Sequence, residues 1–325
     1  MTYFIADTHL GHTAIVGTCR RPFASVEEMD RTIKANWNAK VKRGDTVYIL
    51  GDLIYKSGKD PATYLDGLNG KKVLILGNHD SGWLGRLDPA VYFRTVTPYL
   101  EITQSGHLTT LCHYPMLEWR NSRKVGTKKL GYLIHGHIHN RMDDRFAPLF
   151  AAGNALNAGV DINGYAPVTF KELMANNERF KLSTMSSRVE KATYLCRAYH
   201  MHATDKAGVP YAEHPIHVAS EVADEDQKIV ALLHDTLEDT PLSPALIEEL
   251  FGETVLAAVR AMTHREGEDY FSYIERVRRD PLARAVKAAD LRHNMDLSRL
   301  PTVTDADVSR RNKYERALAL LQSPS

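Results

Sequence analysis

Through its first 176 residues the chain alternates short apolar runs with turns built from Gly, Asp and His. Tyr3-Phe4-Ile5-Ala6 leads into Asp7-Thr8-His9, Val47-Tyr48-Ile49-Leu50 into Gly51-Asp52, and Val73-Leu74-Ile75-Leu76 into Gly77-Asn78-His79-Asp80. Further on, Leu108-Thr109-Thr110-Leu111-Cys112 leads into His113, and Tyr132-Leu133-Ile134-His135 into Gly136-His137-Ile138-His139. A short apolar run closed by such turn residues reads as a buried strand feeding a tight turn. Helix-like segments lie between them. One runs from Ser25 to Asn38, with Ser25 as N-cap and Glu28 three residues on. Strands alternating with helices predict an α/β domain with a layered sheet.

Near residue 180 the period changes. Asn176-Asn177-Glu178 and Ser183-Thr184-Met185-Ser186-Ser187 read as a polar junction. Beyond it the apolar positions recur at helical spacing: Ile229, Val230, Leu232 and Leu233; Val255, Leu256, Val259 and Met262; Tyr314, Ala317, Leu318 and Leu321. Pro241, Pro281 and Pro301 fall where helices should start or stop. The expectation is two domains, an α/β domain over 1–178 and an all-helical one over 184–325.

Composition narrows the function. At 325 residues with 43% hydrophobic content, the chain can bury two cores. A net charge of +1 gives no global attraction to nucleic acid or an anionic membrane. Cys19, Cys112 and Cys196 are widely spaced, which suits a reducing cytoplasm and argues against disulfides or a thiolate zinc site. No apolar run is long enough to span a bilayer. The N-terminus enters a strand-like run at once, so no signal peptide is expected.

The strand ends carry the chemistry. Strand ends at one sheet edge lie close together, so donors far apart in sequence converge there. Asp7, His9, Asp52, Asn78, His113, His137 and His139 supply oxygen and nitrogen without sulfur, a set suited to Mn²⁺, Fe²⁺ or Zn²⁺. Seven donors exceed one tetrahedral ion and suit two ions sharing a carboxylate. Those blocks, in that order, resemble the signature of the calcineurin-like metallophosphoesterases over about residues 1–175. The resemblance implies that Asp7, His9 and His139 hold one metal, that Asn78, His113 and His137 hold the other, and that Asp52 bridges them. It implies that His79 protonates the leaving oxygen, with Asp80 orienting its ring. His12, His107 and His135 are left out of the donor set: His12, beside Gly11, is read as a surface histidine with an approach to substrate phosphate as the alternative, and His135 as a buried structural one. Arg20 and Arg21 lie in a loop within reach of the cleft.

In the helical half, Leu232-Leu233-His234-Asp235-Thr236-Leu237-Glu238-Asp239 is dense in ionisable groups. On one helix, Glu238 lies four residues after His234 and Asp239 four after Asp235, so all return to the same face. Three carboxylates there are costly to bury without a cation. With Ala198-Tyr199-His200, Lys206-Ala207-Gly208-Val209-Pro210-Tyr211, and Val286-Lys287-Ala288-Ala289-Asp290, the segment resembles the HD superfamily over about residues 186–300. More narrowly it is similar to the alarmone hydrolases of the Rel/SpoT type. The resemblance implies one ion, usually Mn²⁺, on His200, His234, Asp235 and Asp290, with Glu238 and Asp239 activating or positioning the attacking water. It implies nucleotide contacts from Asn294 and Lys206. His202 is the alternative to His200, while His214, His217 and His264 are read as packing or structural residues. Where those hydrolases carry a basic pair, this chain has Ala203-Thr204-Asp205-Lys206, with one cation.

Both halves thus point to metal-dependent hydrolysis of phosphate compounds. The leading expectation is a phosphodiesterase or phosphatase joined to a nucleotide (pyro)phosphohydrolase with a small alarmone-like substrate. A nucleotide-sensing HD domain regulating the first half is one alternative, and an RNA-end or cyclic-nucleotide processing enzyme is another. The absence of a basic stripe counts against long polymers.

Overall fold

The computed structural model describes residues 1–123, 130–146, 149, 153–201, 203–205, 208–299 and 302–323. They divide into two compact units, Met1–Thr184 and Met185–Ser325. The first is an α/β sandwich and the second is all-helical.

In the first unit, strands β1 (Thr2–Ile5), β2 (Thr46–Ile49), β3 (Lys71–Ile75) and β4 (Phe93–Thr97) form a parallel sheet in that order. Strands β5 (Tyr99–Gln104), β6 (His107–Cys112), β7 (Tyr132–His135) and β8 (Ala155–Asn157) form a second sheet. There β5 is antiparallel to β6, and β6, β7 and β8 run parallel. Both faces of the first sheet are buried, so its strands read as continuous apolar runs. Tyr3, Ile5, Val47, Ile49 and Leu74 face α2 (Val26–Lys40), which packs with Met29, Ile33 and Trp37. Phe4, Leu50, Val73 and Ile75 face the second sheet, where they meet Leu111, Ile134 and Leu156. At the start of α2, Ser25 Oγ accepts from Glu28 N at 3.2 Å. The short helices α1 (Thr13–Thr18), α3 (Ala62–Leu65), α4 (Ser81–Leu84) and α5 (Pro89–Tyr92) lie between strands, and α6 (Phe170–Thr184) closes the unit. Beyond β8 the chain bonds to the end of β1: Ala6 N donates to Ala158 O at 2.9 Å and Val160 N to Ala6 O at 3.1 Å. The carboxyl ends of both parallel sets are thereby fastened to one another.

The second unit comprises α7 (Arg188–Tyr199), α8 (Glu213–Ser220), α9 (Glu225–Leu233), α10 (Thr236–Asp239), α11 (Pro244–Phe251), α12 (Glu253–Met262), α13 (Tyr270–Arg278), α14 (Pro281–Met295) and α15 (Asp305–Gln322). Helix α9 is the centre. Its residues Ile229 to Leu233 are all buried, and it packs against α7, α8, α12 and α14. Asp224 caps α9, and Asp280 caps α14 with Pro281 at its first position. Thr304 and Asp307 form a reciprocal capping box on α15.

Candidate active sites

At the sandwich edge the turns after β1, β2, β3, β6 and β7 deliver their donors to one place. The backbone gives the first sign of it. Asp7, His9, Asp52, His137 and His139 all have positive φ, between 50° and 73°. For non-glycine residues each such position costs about 1 kcal/mol or more, and such strain clusters at functional sites. Close approach gives the second sign. A Cβ on Gly77 would lie 2.4 Å from Asp52 Oδ1, and one on Gly136 would lie 2.7 Å from Asp7 Oδ2. Both glycines are required so that a neighbouring strand end can present its carboxylate.

The donors form two overlapping groups. Asp7, His9 and His139 have ligand atoms within 4.8 Å of one another, and so do Asp7, Asp52 and His113. Asp52 Oδ2 lies 3.6 Å from His9 Nε2 and 3.6 Å from His113 Nε2. Asn78 Oδ1 is 3.1 Å from His113 Nε2 and 3.0 Å from His137 Nδ1. His113 turns Nε2 inward because Nδ1 donates to Leu50 O at 2.7 Å, and His139 Nδ1 donates to Asp161 Oδ2 at 2.9 Å. Imidazoles that ligate metals are typically oriented in this way from behind.

These residues fit divalent cations. His9 is buried, and neither of its ring nitrogens has a hydrogen-bond partner. Such orphans are rare unless a ligand completes them. Burial, with neighbouring cations adding to it, pushes the pKa of His9 down to about 2, so the ring is neutral and free to donate a lone pair. Burial raises that of Asp7 to about 6, which leaves it wanting a cation. Burial would also lower His139, but Asp161 and Asp7 override it and raise it to about 10, the mark of an anionic pocket.

Two expectations are corrected here. Asp80 does not orient His79. Its carboxylate is fully buried, with Oδ2 accepting from Asp52 N (2.9 Å) and Gly77 N (2.8 Å), and Oδ1 from Leu53 N (3.0 Å) and Trp83 Nε1 (2.9 Å). It staples the β2 turn to the β3 turn. The His79 ring instead lies 3.7 Å from the Tyr55 ring between centroids, with Nε2 3.9 Å from Asp52 Oδ2. Arg21 does not reach out to the cleft. It is buried and forked onto Asp161, because the turn holding it folds beneath the Asp7 loop. Arg20 is exposed, and His12 is half-buried, with its ring edge-on to Tyr55 at 4.8 Å. His135 is buried and bonds to Gly136 O. Cys19 also comes within ligand range of His139 and Asp161, but Arg21 and His139 already occupy the Asp161 oxygens.

In the helical unit the donors gather between α8, α9 and α14. His214, His234 and Asp290 lie within 4.8 Å of one another. His234 Nε2 is 2.9 Å from Asp235 Oδ2 and 3.8 Å from Asp290 Oδ1, while His214 Nε2 is 3.1 Å from Asp290 Oδ1. His234 Nδ1 donates to Ala231 O at 2.7 Å, leaving Nε2 to the site. Burial is outweighed by Asp235 and Asp290, which raise the pKa of His234 to about 9. Tyr211 donates its hydroxyl to Asp235 Oδ2.

Here too the expectations need correction. His214, expected only to pack, stands among the donors in place of His200. His200 caps the end of α7, outside that cluster; it is buried with Nε2 unpartnered, its ring 4.9 Å from Tyr211. The cause is tertiary: α8 starts at Glu213, so His214 in its first turn faces α14, and spacing along the chain does not show this. The one helix expected through Asp239 is two, because the chain breaks at His234-Asp235 and Asp235 O restarts it by accepting from Asp239 N at 2.9 Å. Glu238 and Asp239 are both exposed on α10. Glu238 Oε2 accepts from His264 N at 3.0 Å, and the pKa of Asp239 is raised by partial desolvation of its carboxylate, although the residue as a whole is exposed, and by the neighbouring Asp235 and Glu238. Asn294 Nδ2 donates to Asp290 Oδ1 at 2.6 Å, and Lys287 Nζ to Oδ2 at 2.9 Å. Lys206 and His202 lie outside the described residues. His217 stacks on His293 at 4.0 Å.

A family model described as calcineurin-like phosphoesterase matches residues 2–141, and one described as HD domain matches residues 192–316. The chain is a calcineurin-like phosphoesterase joined to an HD domain. It is a metal-dependent hydrolase. The uncharacterized protein MJ1445 of Methanocaldococcus jannaschii is 32% identical over 182 residues, 55% of this chain and 93% of that protein. The gene 66 protein of Mycobacterium phage L5 is 40% identical over 165 residues, 43% of this chain and 78% of its own. A guanosine-3′,5′-bis(diphosphate) 3′-pyrophosphohydrolase of Aquifex aeolicus is 32% identical over 122 residues, 34% of this chain. The chain spans only 18% of the length of that pyrophosphohydrolase. No helix among the described residues is long and apolar enough to cross a membrane.

Sequence reasoning missed Asp161 and Lys287 as the partners of His139 and Asp290. Asp161 sits after the short β8, and only its position two residues past Gly159 hinted at a loop role.

Proposed function

We propose that the chain is a two-centre phosphohydrolase. The N-terminal centre cleaves phosphomono- or phosphodiesters with two divalent ions. The C-terminal centre removes pyrophosphate from a small, alarmone-like nucleotide with one ion, for which Mn²⁺ suits the nitrogen and oxygen donors. The observation that carries the reading is the buried His9, unpartnered at both nitrogens, among donor groups that overlap at Asp7. Asp7, His9 and His139 would hold one ion, Asn78, His113 and His137 the other, with Asp52 between them. Such ions activate water near neutral pH and neutralise charge on the phosphoryl oxygens. His79, a third exposed beside Asp52, stands where a proton can pass to a leaving oxygen, and Tyr55 holds its ring.

In the helical unit, His214, His234, Asp235 and Asp290 would hold the single ion. Lys287 and Asn294 fix the Asp290 carboxylate, and Glu238 and Asp239 position the water. The pyrophosphohydrolase named above supports a nucleotide 3′-pyrophosphate as the substrate class. Three buried free cysteines suit a cytoplasmic setting.

The test is a substrate panel with Mn²⁺: guanosine and adenosine 3′-pyrophosphates, 2′,3′-cyclic nucleotides and bis-p-nitrophenyl phosphate. Asp52→Ala should abolish ester hydrolysis alone, and Asp235→Ala pyrophosphate release alone. No product from any compound with the wild-type chain would refute the proposal.

A further inference from the structure

Arg21 is a buried cation with no place in the chemistry proposed above. Its side chain and that of Asp161 are 0% and 1% exposed. Nε donates to Asp161 Oδ1 at 2.8 Å and Nη2 to Oδ2 at 3.1 Å, the planar fork that a guanidinium makes with a carboxylate. The same guanidinium donates from Nη2 to Asp7 O at 2.7 Å and from Nη1 to Thr8 O at 2.8 Å. It therefore grips the loop that presents Asp7 and His9. Through Asp161, whose Oδ2 accepts from His139 Nδ1 at 2.9 Å, it also fixes the third donor. One side chain orders all three groups of a single cation position. Among the described residues the other position has no such brace: behind His113 stands the neutral carbonyl of Leu50, and His137 Nδ1 faces the Asn78 amide oxygen.

We propose that Arg21 and Asp161 are positioning residues that make the Asp7–His9–His139 position the tighter of the two cation sites. A carboxylate behind an imidazole fixes the tautomer with Nε2 toward the ion and raises its basicity, whereas a carbonyl supplies orientation without the charge. Arg21 keeps that carboxylate ionised and aimed. Buried ion pairs seldom repay their desolvation in fold stability, so placement of donors is the more economical account of this one. The inference rests on the two-ion reading of the N-terminal centre.

The experiment titrates the chelated, full-length Asp235→Ala chain, which lacks a donor for the helical unit's ion, with Mn²⁺ and follows electron paramagnetic resonance. The tighter position fills first and gives the hyperfine pattern of isolated Mn²⁺, and an exchange-coupled signal replaces it as the second position fills. With Asp161→Asn added, the isolated signal should need more Mn²⁺, by up to the about 10- to 100-fold usually lost with such a partner. Because Asp161→Asn leaves Arg21 buried and unpaired, Arg21→Gln/Asp161→Asn, which neutralises both partners, is titrated beside it in the same chain and should show the same loss. An isolated signal at the unchanged concentration in a folded variant would reduce the pair to a fold staple and overturn the proposal. If the Asp235→Ala chain never gives a coupled signal, the two-ion reading itself falls, and the proposal falls with it.

Discussion

Replacing Asp80 separates a loop staple from an orienter of His79. The carboxylate is 0% exposed and accepts four hydrogen bonds, from Asp52 N, Gly77 N, Leu53 N and Trp83 Nε1. In Asp80→Ala all four donors lose their partner inside the protein. A buried unsatisfied donor costs about 1–3 kcal/mol, so the N-terminal unit should lose at least about 4 kcal/mol. Asp80→Asn keeps one oxygen and turns its NH₂ toward two other donors, so it should cost about 2–6 kcal/mol by the same accounting. Urea denaturation followed by tryptophan emission reads this unit alone, because Trp37, Trp83 and Trp119 all belong to it. Far-ultraviolet circular dichroism reports both units, and the part of its transition that belongs to the helical unit should keep the wild-type midpoint. Ester hydrolysis should fall with the folded population and with the misplacement of Asp52. If Asp80→Asn unfolds within about 1 kcal/mol of wild type while kcat collapses, Asp80 acts on His79 and the staple account is wrong.

Two further outcomes follow from the same geometry. His214→Ala should remove one bound Mn²⁺ per chain while His200→Ala leaves the count unchanged, as elemental analysis after desalting will show; the reverse pattern would restore His200 to the donor set. His135, buried and pushed by burial from 6.5 down to about 4, is neutral when folded. The unfolded chain therefore takes up a proton first as pH falls, and stability should drop between about pH 6.5 and 4 by up to about 3 kcal/mol. His135→Asn, which cannot protonate there, should flatten that limb of a denaturation-midpoint-versus-pH profile, and an unchanged slope would contradict the assignment.

The two-part architecture and the N-terminal strands whose ends carry donors were legible in the order of residues alone. Those strands are buried on both faces, so each appears as an unbroken apolar run with its chemistry at the next turn. The helical half was legible from its periodicity. What the sequence left out were β4, β5 and β8, which are half-exposed or only three residues long and lack a run that stands out. It also left out the partners that brace the donors from behind, Asp161 on His139 and Lys287 on Asp290. Asp80 and Arg21 have the charge and position expected of site residues, and only packing turns them inward, onto backbone N–H groups in one case and onto Asp161 and two carbonyls in the other. Along the chain His200 reads as the donor and His214 as a packing residue. The turn that starts α8 at Glu213 decides between them, because a ligand set is a matter of which side chains meet, and that is fixed by the packing of helices rather than by the order of residues.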